Sequence, residues 1–166
     1  MGSAFIRQYR QAVLRQTPLY SVFTVDSTTL PAMGDSAVGT FTTALWNADF
    51  DNPANKRFVA DFQAAYHRVP GDFAARAYDT AALLNAALNA TGGNSDSKVL
   101  REALRTAKFD ATRGNFKLNP ANQWPIQDYY LVEIVKPEGK APEMVTRTKV
   151  LEAHPDPFFR ECKYPG

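Results

Sequence analysis

Phe5, Ile6, Tyr9 and Val13 recur at helical spacing, with Arg7, Gln8, Arg10 and Gln11 between them, so the chain opens on an amphipathic helix. Its apolar face starts almost at the terminus with no capping tract before it, as expected of entry into the middle of a structural unit. Pro18 breaks the chain. Residues 19–23 then predict a short buried strand, and residues 24–33, polar and holding Pro31, a loop with one helical turn. Residues 38–46, rich in Thr and aromatics, predict a second strand.

The middle of the chain is helical. Asn52-Pro53 is a start signal, since Asn caps and Pro suits the first helical position. Phe58, Phe62, Ala65 and Tyr66 form an apolar stripe up to Pro70. The next helix opens near Asp72, whose charge favours the helix dipole. It carries Phe73, Ala77, Ala81, Leu84 and Leu88 on one face and stops at Gly92-Gly93. A third helix begins at Ser95 or Asp96 and is expected to bury Val99, Leu100, Ala103 and Leu104. Residues 114–118, 129–135 and 144–151 predict strands, with turns at Asn119-Pro120 and Glu138-Gly139. The tail, with Pro155, Pro157 and Pro165, predicts irregular structure.

Strands separated by helices argue for an α/β fold. Three consecutive helices, however, have no sheet of their own nearby. A helix with a wide apolar face must cover something. The expectation is that the missing β-layer is encoded outside this chain.

Composition narrows the function classes. Hydrophobic residues are 45% and charged residues 22%, which argues against disorder. No apolar run approaches the length of about eighteen residues that spans a bilayer. A net charge of +2 with scattered basic residues does not suit a nucleic-acid partner. Arg7, Arg10 and Arg15 lie close together and read as the solvated side of the first helix. The single cysteine, Cys162, has no second thiol for a disulfide or a shared metal. Met1-Gly2-Ser3 lacks a basic flank and apolar stretch, so no signal peptide is visible. Taken with the abrupt first helix, this predicts a chain cut from a longer protein rather than a cytoplasmic one.

Catalytic motifs are absent from the sequence. His67 and His154 are far apart, and there is no phosphate loop, zinc spacing or Gly-x-Ser-x-Gly turn. Gly34-Asp35-Ser36 reads as a turn, and Asp49 and Asp51 as helix-capping residues rather than an acid–base pair or cation site. The expectation is a non-enzyme with neither cofactor nor metal. Residues 19–26 form a strand running into a polar loop, and open α/β sheets bind ligands beyond the carboxyl ends of strands. There Phe23 offers a flat apolar surface, Thr24 a hydroxyl and Asp26 an acceptor. The competing local reading makes Phe23 a core residue and leaves Thr24 to Asp26 to shape the turn.

Several stretches together resemble one family. Phe5-Ile6-Arg7-Gln8-Tyr9, Pro18-Leu19-Tyr20 and residues 34–41 resemble the later half of type I periplasmic solute-binding proteins, the branched-chain and aromatic-acid-binding receptors of ABC importers. The order Asn52-Pro53, Phe58, Tyr66, Pro70, Phe73 and Ala77-Tyr78-Asp79 extends the likeness. So do Arg113-Gly114-Asn115-Phe116 and Tyr129-Tyr130-Leu131. The resemblance implies two Rossmann-like lobes, here incomplete: residues 1–47 and 128–166 in the second lobe, residues 48–127 in the helical part of the first. It implies extracytoplasmic capture of an amino acid or related aromatic or organic acid, and delivery to a permease. It also places Phe73 where amino-acid-binding relatives set an aromatic against the ligand. Phe23 falls near the site where they use an acid to hold the ligand's ammonium, so an aromatic or organic acid suits this chain better. Two alternatives stay open: a cytoplasmic ligand-sensing domain of the same fold, and a ligand-free fragment that pairs with a second copy by exchanging elements.

Overall fold

The computed structural model describes residues 2–12 and 16–162; Val13, Arg15 and Pro165 lie outside them. The chain runs α1 (Gly2–Gln11), β1 (Leu19–Val22), α2 (Leu30–Met33), a 3-10 turn (Gly34–Ala37) and β2 (Thr40–Ala44). Then come α3 (Pro53–Tyr66), α4 (Asp72–Ala90), α5 (Ser97–Thr106), β3 (Phe116–Leu118), β4 (Pro125–Val135) and β5 (Glu143–His154).

These five strands make one mixed sheet. β1 and β2 run parallel, with Leu19 opposite Thr40. β4 is antiparallel to β2, β3 and β5. It pairs β3 at Phe116–Gln127 and β2 at Phe41–Glu133, while β5 follows its other edge. One long strand thus connects the region after the helices to the β1–β2 unit.

Local chemistry sets the helix starts. Asn52 accepts from the Asn55 backbone N–H at 2.8 Å, with Pro53 at the first helical position. Asp96 caps α5 by accepting from Lys98 and Val99. Asp49 and Asp51 do not cap. Asp49 instead accepts from the Thr146 backbone N–H and hydroxyl, both at 2.7 Å, and Asp51 pairs with Lys56. Residue type alone does not distinguish an aspartate that caps from one that bonds a strand or pairs with a lysine.

Burial falls into two clusters. Ile6, Val25, Leu30, Met33, Ala37 and Ile134 form one, and Trp46, Phe50, Phe58 and Ala75 the other. Asn55 is wholly buried beside the second, accepting from Trp46 Nε1 at 2.6 Å and donating to the Ala48 and Phe50 carbonyls. This pins the turn that leads from β2 into α3.

Several expected core positions are open instead. β1 is an edge strand with Tyr20 and Val22 exposed, not a buried one. Phe5 is exposed, and among the described residues of the α1 stripe only Ile6 is fully buried. Arg10 is half-buried rather than simply solvated: it donates to the Ser36 and Val38 carbonyls and ties α1 to the 3-10 turn. In α3, Ala65 and Tyr66 are exposed. In α4, Phe73, Ala77, Ala81 and Leu84 are all exposed. No residue of α5 is buried, and Val99 is exposed. The helical periodicity is right at these places, but no strand of this sheet lies against them. Among the described residues no helix is long and apolar enough to cross a membrane.

Candidate functional site

β1 ends at Val22, and the next residue, Phe23, turns the chain with φ 53°. A bulky residue in this left-handed region is strained, and such strain gathers where function requires it. Phe23 is 56% exposed, which overturns its reading as a core residue. The turn is held from both sides. Val25 is buried in the first cluster. Asp26 Oδ1 accepts from the backbone N–H and the hydroxyl of both Thr28 and Thr29 at 2.7–3.0 Å. Burial works to raise the Asp26 pKa, but these hydrogen bonds outweigh it and hold the carboxyl below its ordinary value.

The start of α4 lies against this turn. Ser27 Oγ donates to the Pro70 carbonyl at 2.6 Å. A Cβ on Gly71 would stand only 2.8 Å from Thr28 Cγ2, so glycine permits the approach. Phe73, in the first turn of α4, is 79% exposed. Between the two rings lies Arg76. Its Cζ is 5.7 Å from the Phe23 ring centroid and 5.8 Å from that of Phe73. Arg76 Nε also meets Asp72 Oδ2 at 2.6 Å, one helical turn back. The result is a guanidinium bracketed by two exposed aromatic rings and anchored by a carboxylate.

The expected site residues therefore divide. Phe23 and Phe73 meet at Arg76. The Thr24 hydroxyl donates to the Val22 carbonyl at 3.3 Å, and its methyl faces Gly2. Asp26 shapes its own turn and lines a neighbouring cavity rather than touching the two rings. The hydrophobic pattern does not single out Arg76, although it stands three residues after Phe73 and four after Asp72 on a helix, spacings that share a face.

A second polar cluster lies deeper. Arg113, Asp79 and Gln127 are buried and hydrogen-bonded in series. Among the described residues, no group of three or more His, Cys, Asp or Glu side chains is placed to hold a metal ion.

A family model described as "Periplasmic binding protein" matches residues 1–140. The chain belongs to that periplasmic binding protein family. A solute-binding protein of an ABC transporter from R. palustris, in complex with benzoate, superposes with a TM-score of 0.80 at 35% identity. That match covers 94% of this chain and 42% of the other. An ABC transporter substrate-binding protein from Sphaerobacter thermophilus gives a TM-score of 0.84 at 26% identity, covering 91% and 42%. Leu/Ile/Val-binding protein homolog 6 of Brucella abortus (strain 2308) is 30% identical over 110 residues, 64% of this chain and 28% of its own length. The chain thus spans from 28% to 42% of the length of these relatives. Its mixed α/β architecture is that of their type I fold, and the family and fold are those of solute-binding proteins.

Proposed function

We propose that this chain is part of an extracytoplasmic receptor of an ABC importer, and that its Phe23–Arg76–Phe73 face takes an aromatic or related organic acid. The single observation that carries this is the bracketed guanidinium: flat apolar surfaces for a ring on either side of a cation for a carboxylate. Asp72 engages Nε, and a guanidinium has five donors in all. Phe23 provides no charge for a ligand ammonium, and burying an unneutralised ammonium is costly. The benzoate complex of the R. palustris relative supports the same ligand class.

Residues 1–47 and 128–166 are assigned to the second lobe, and residues 48–127 to the first. The first buried cluster supports this division, since Ile6, Val25, Leu30, Met33, Ala37 and Ile134 all fall in the second lobe, while the second, with Trp46 and Tyr130 beside Phe58 and Ala75, lies at the junction. Solute held between the lobes would favour the closed arrangement by its extra contacts there, and the closed form would dock on a permease. No bond is broken in this scheme, so no catalytic group is needed.

Calorimetric titration with benzoate, 4-hydroxybenzoate and leucine tests the reading. Saturable binding of the benzoates, with leucine weaker by at least about tenfold, is the expected result. Leucine binding in preference to benzoates would overturn the ligand class. The open α4 face of Phe73, Ala77, Ala81 and Leu84 supports a second reading, in which two copies pair through it. Light scattering at rising concentration separates the two, because a persistent monomer would dismiss the pairing.

A further inference from the structure

The turn after β1 and the α3–α4 turn meet at the wall of a cavity of about 700 Å³. Leu30, Pro31 and Met144 wall it from the assigned second lobe, and Val69, Pro70 and Asp72 from the first. The segment between β2 and α3, which crosses from one lobe to the other, contributes Trp46 to Asp49. There Asp49 accepts from the Thr146 backbone N–H and hydroxyl, both at 2.7 Å, and holds the crossing to β5. The cavity borders both this crossing and the contact between Ser27 and Pro70, so the lobes are not packed continuously from one to the other. A single bond at the far contact therefore has leverage.

Ser27 is prepared for that contact by its own turn. Asp26 Oδ1 accepts from the Thr28 and Thr29 backbone N–H groups, which fixes the chain around it. Ser27 Oγ then donates to the Pro70 carbonyl at 2.6 Å, between residues 43 positions apart. Pro70 is fully buried, and its carbonyl meets no other donor among the described residues. Leaving a buried carbonyl without a donor is costly, so the bond favours this arrangement over a parted one. Phe23 stands four residues before Ser27, and Phe73 three after Pro70. The bond thus joins the two segments that bring their rings to Arg76.

We infer that Ser27 is a positioning residue for the aromatic-acid face: its hydroxyl clasps the two lobes together and holds the Phe23 ring over Arg76. The inference rests on the lobe division and the acid-binding face of the proposed function. By that division Phe23 comes from the second lobe and Arg76 and Phe73 from the first, so the face is complete only while the lobes are close. A clasp that favours closure before the acid arrives raises the binding-competent fraction, and with it the apparent affinity.

Ser27→Ala removes the hydroxyl, with circular dichroism confirming the fold. Nitroxide labels on Asn89→Cys and Glu138→Cys, exposed positions on the two assigned lobes, report lobe separation by pulsed electron paramagnetic resonance in a Cys162→Ser background. Without ligand, Ser27→Ala should add a longer-distance population that the labelled parent lacks. Stopped-flow titration with benzoate should show about fivefold weaker binding, the worth of one neutral hydrogen bond, carried by faster dissociation. Saturating benzoate should return the Ser27→Ala distances to those of the parent, which a merely structural loss would not allow. Unchanged ligand-free distances, or unchanged benzoate affinity, would overturn the inference. A parent that binds no benzoate would sink the acid-binding reading instead, and the ligand-free distances would still decide the clasp.

Discussion

Arg113 donates from Nε to Asp79 Oδ2 at 2.8 Å, in a pair whose side chains are only 9% and 3% exposed. The other Asp79 oxygen accepts from the Thr112 backbone N–H at 2.7 Å, and Arg113 Nη1 donates to Gln127 Oε1 at 3.1 Å. The network fastens α4 to the segment entering β3 and to the start of β4. Because both charges have left water, removing one leaves the other buried and unpaired. Asp79→Ala should therefore cost about 3–5 kcal/mol, read from urea denaturation. A loss below about 1 kcal/mol, the range of an exposed pair, would show that water replaces the carboxylate.

Gly71 is defined by its neighbour rather than by its backbone angle, since a Cβ there would meet Thr28 Cγ2 at 2.8 Å. Gly71→Ala should destabilise by about 1–3 kcal/mol as an overpacked contact. Thr28→Ser deletes that methyl while keeping the hydroxyl that bonds Asp26. The double variant should recover most of the loss, and a thermal-melt double-mutant cycle measures the recovery. Additive effects would place the clash elsewhere.

Phe23 combines an exposed ring with φ 53°, so its side chain contributes little to the core and its backbone is strained. Phe23→Gly should leave stability unchanged or raise it by about 1 kcal/mol, because glycine adopts this region freely. The same change should weaken benzoate binding several-fold through loss of one ring face. Phe23→Ala should also weaken binding without unfolding the chain. Marked destabilisation by either variant would return the ring to a structural role.

Asp128 is buried where β4 meets β5. Burial pushes its carboxyl pKa up. The Ala153 backbone N–H at 2.7 Å, the Lys149 ammonium at 2.7 Å and the Tyr130 hydroxyl at 3.2 Å outweigh that and hold it below the ordinary 3.8. A carboxyl depressed in the folded state adds stability that is fully present above the unfolded value. That stability is lost as pH falls through the lower folded value. Lys149 is shifted up from 10.5, chiefly by its hydrogen bond to Asp128, so its contribution persists below that value and fades only at more alkaline pH. Thermal melts between about pH 6 and pH 2 should show Asp128→Asn losing stability less steeply with acid than the parent chain. Parallel curves would exclude Asp128 as the acid-sensitive group.

Much of the architecture was legible from local chemistry. Asn52-Pro53 and Asp96 start helices because their side chains satisfy N–H groups a few residues away, a relationship contained in the sequence itself. Phe23 can be singled out from its place where a strand runs into a polar loop, whereas the family resemblance alone marks Phe73 as a ligand contact. Strand bounds were less exact: β4 begins at Pro125, four residues before the expected start, because pairing with β3 extends it.

Periodicity established that Phe73, Ala77, Ala81 and Leu84 share a face, but not whether anything covers it. Covering is a relation between distant segments, and no strand of this sheet supplies it. The Asp79–Arg113 pair and the guanidinium between Phe23 and Phe73 have the same origin. Each depends on separations of tens of residues collapsing to a few ångströms, which local spacing does not encode and packing does.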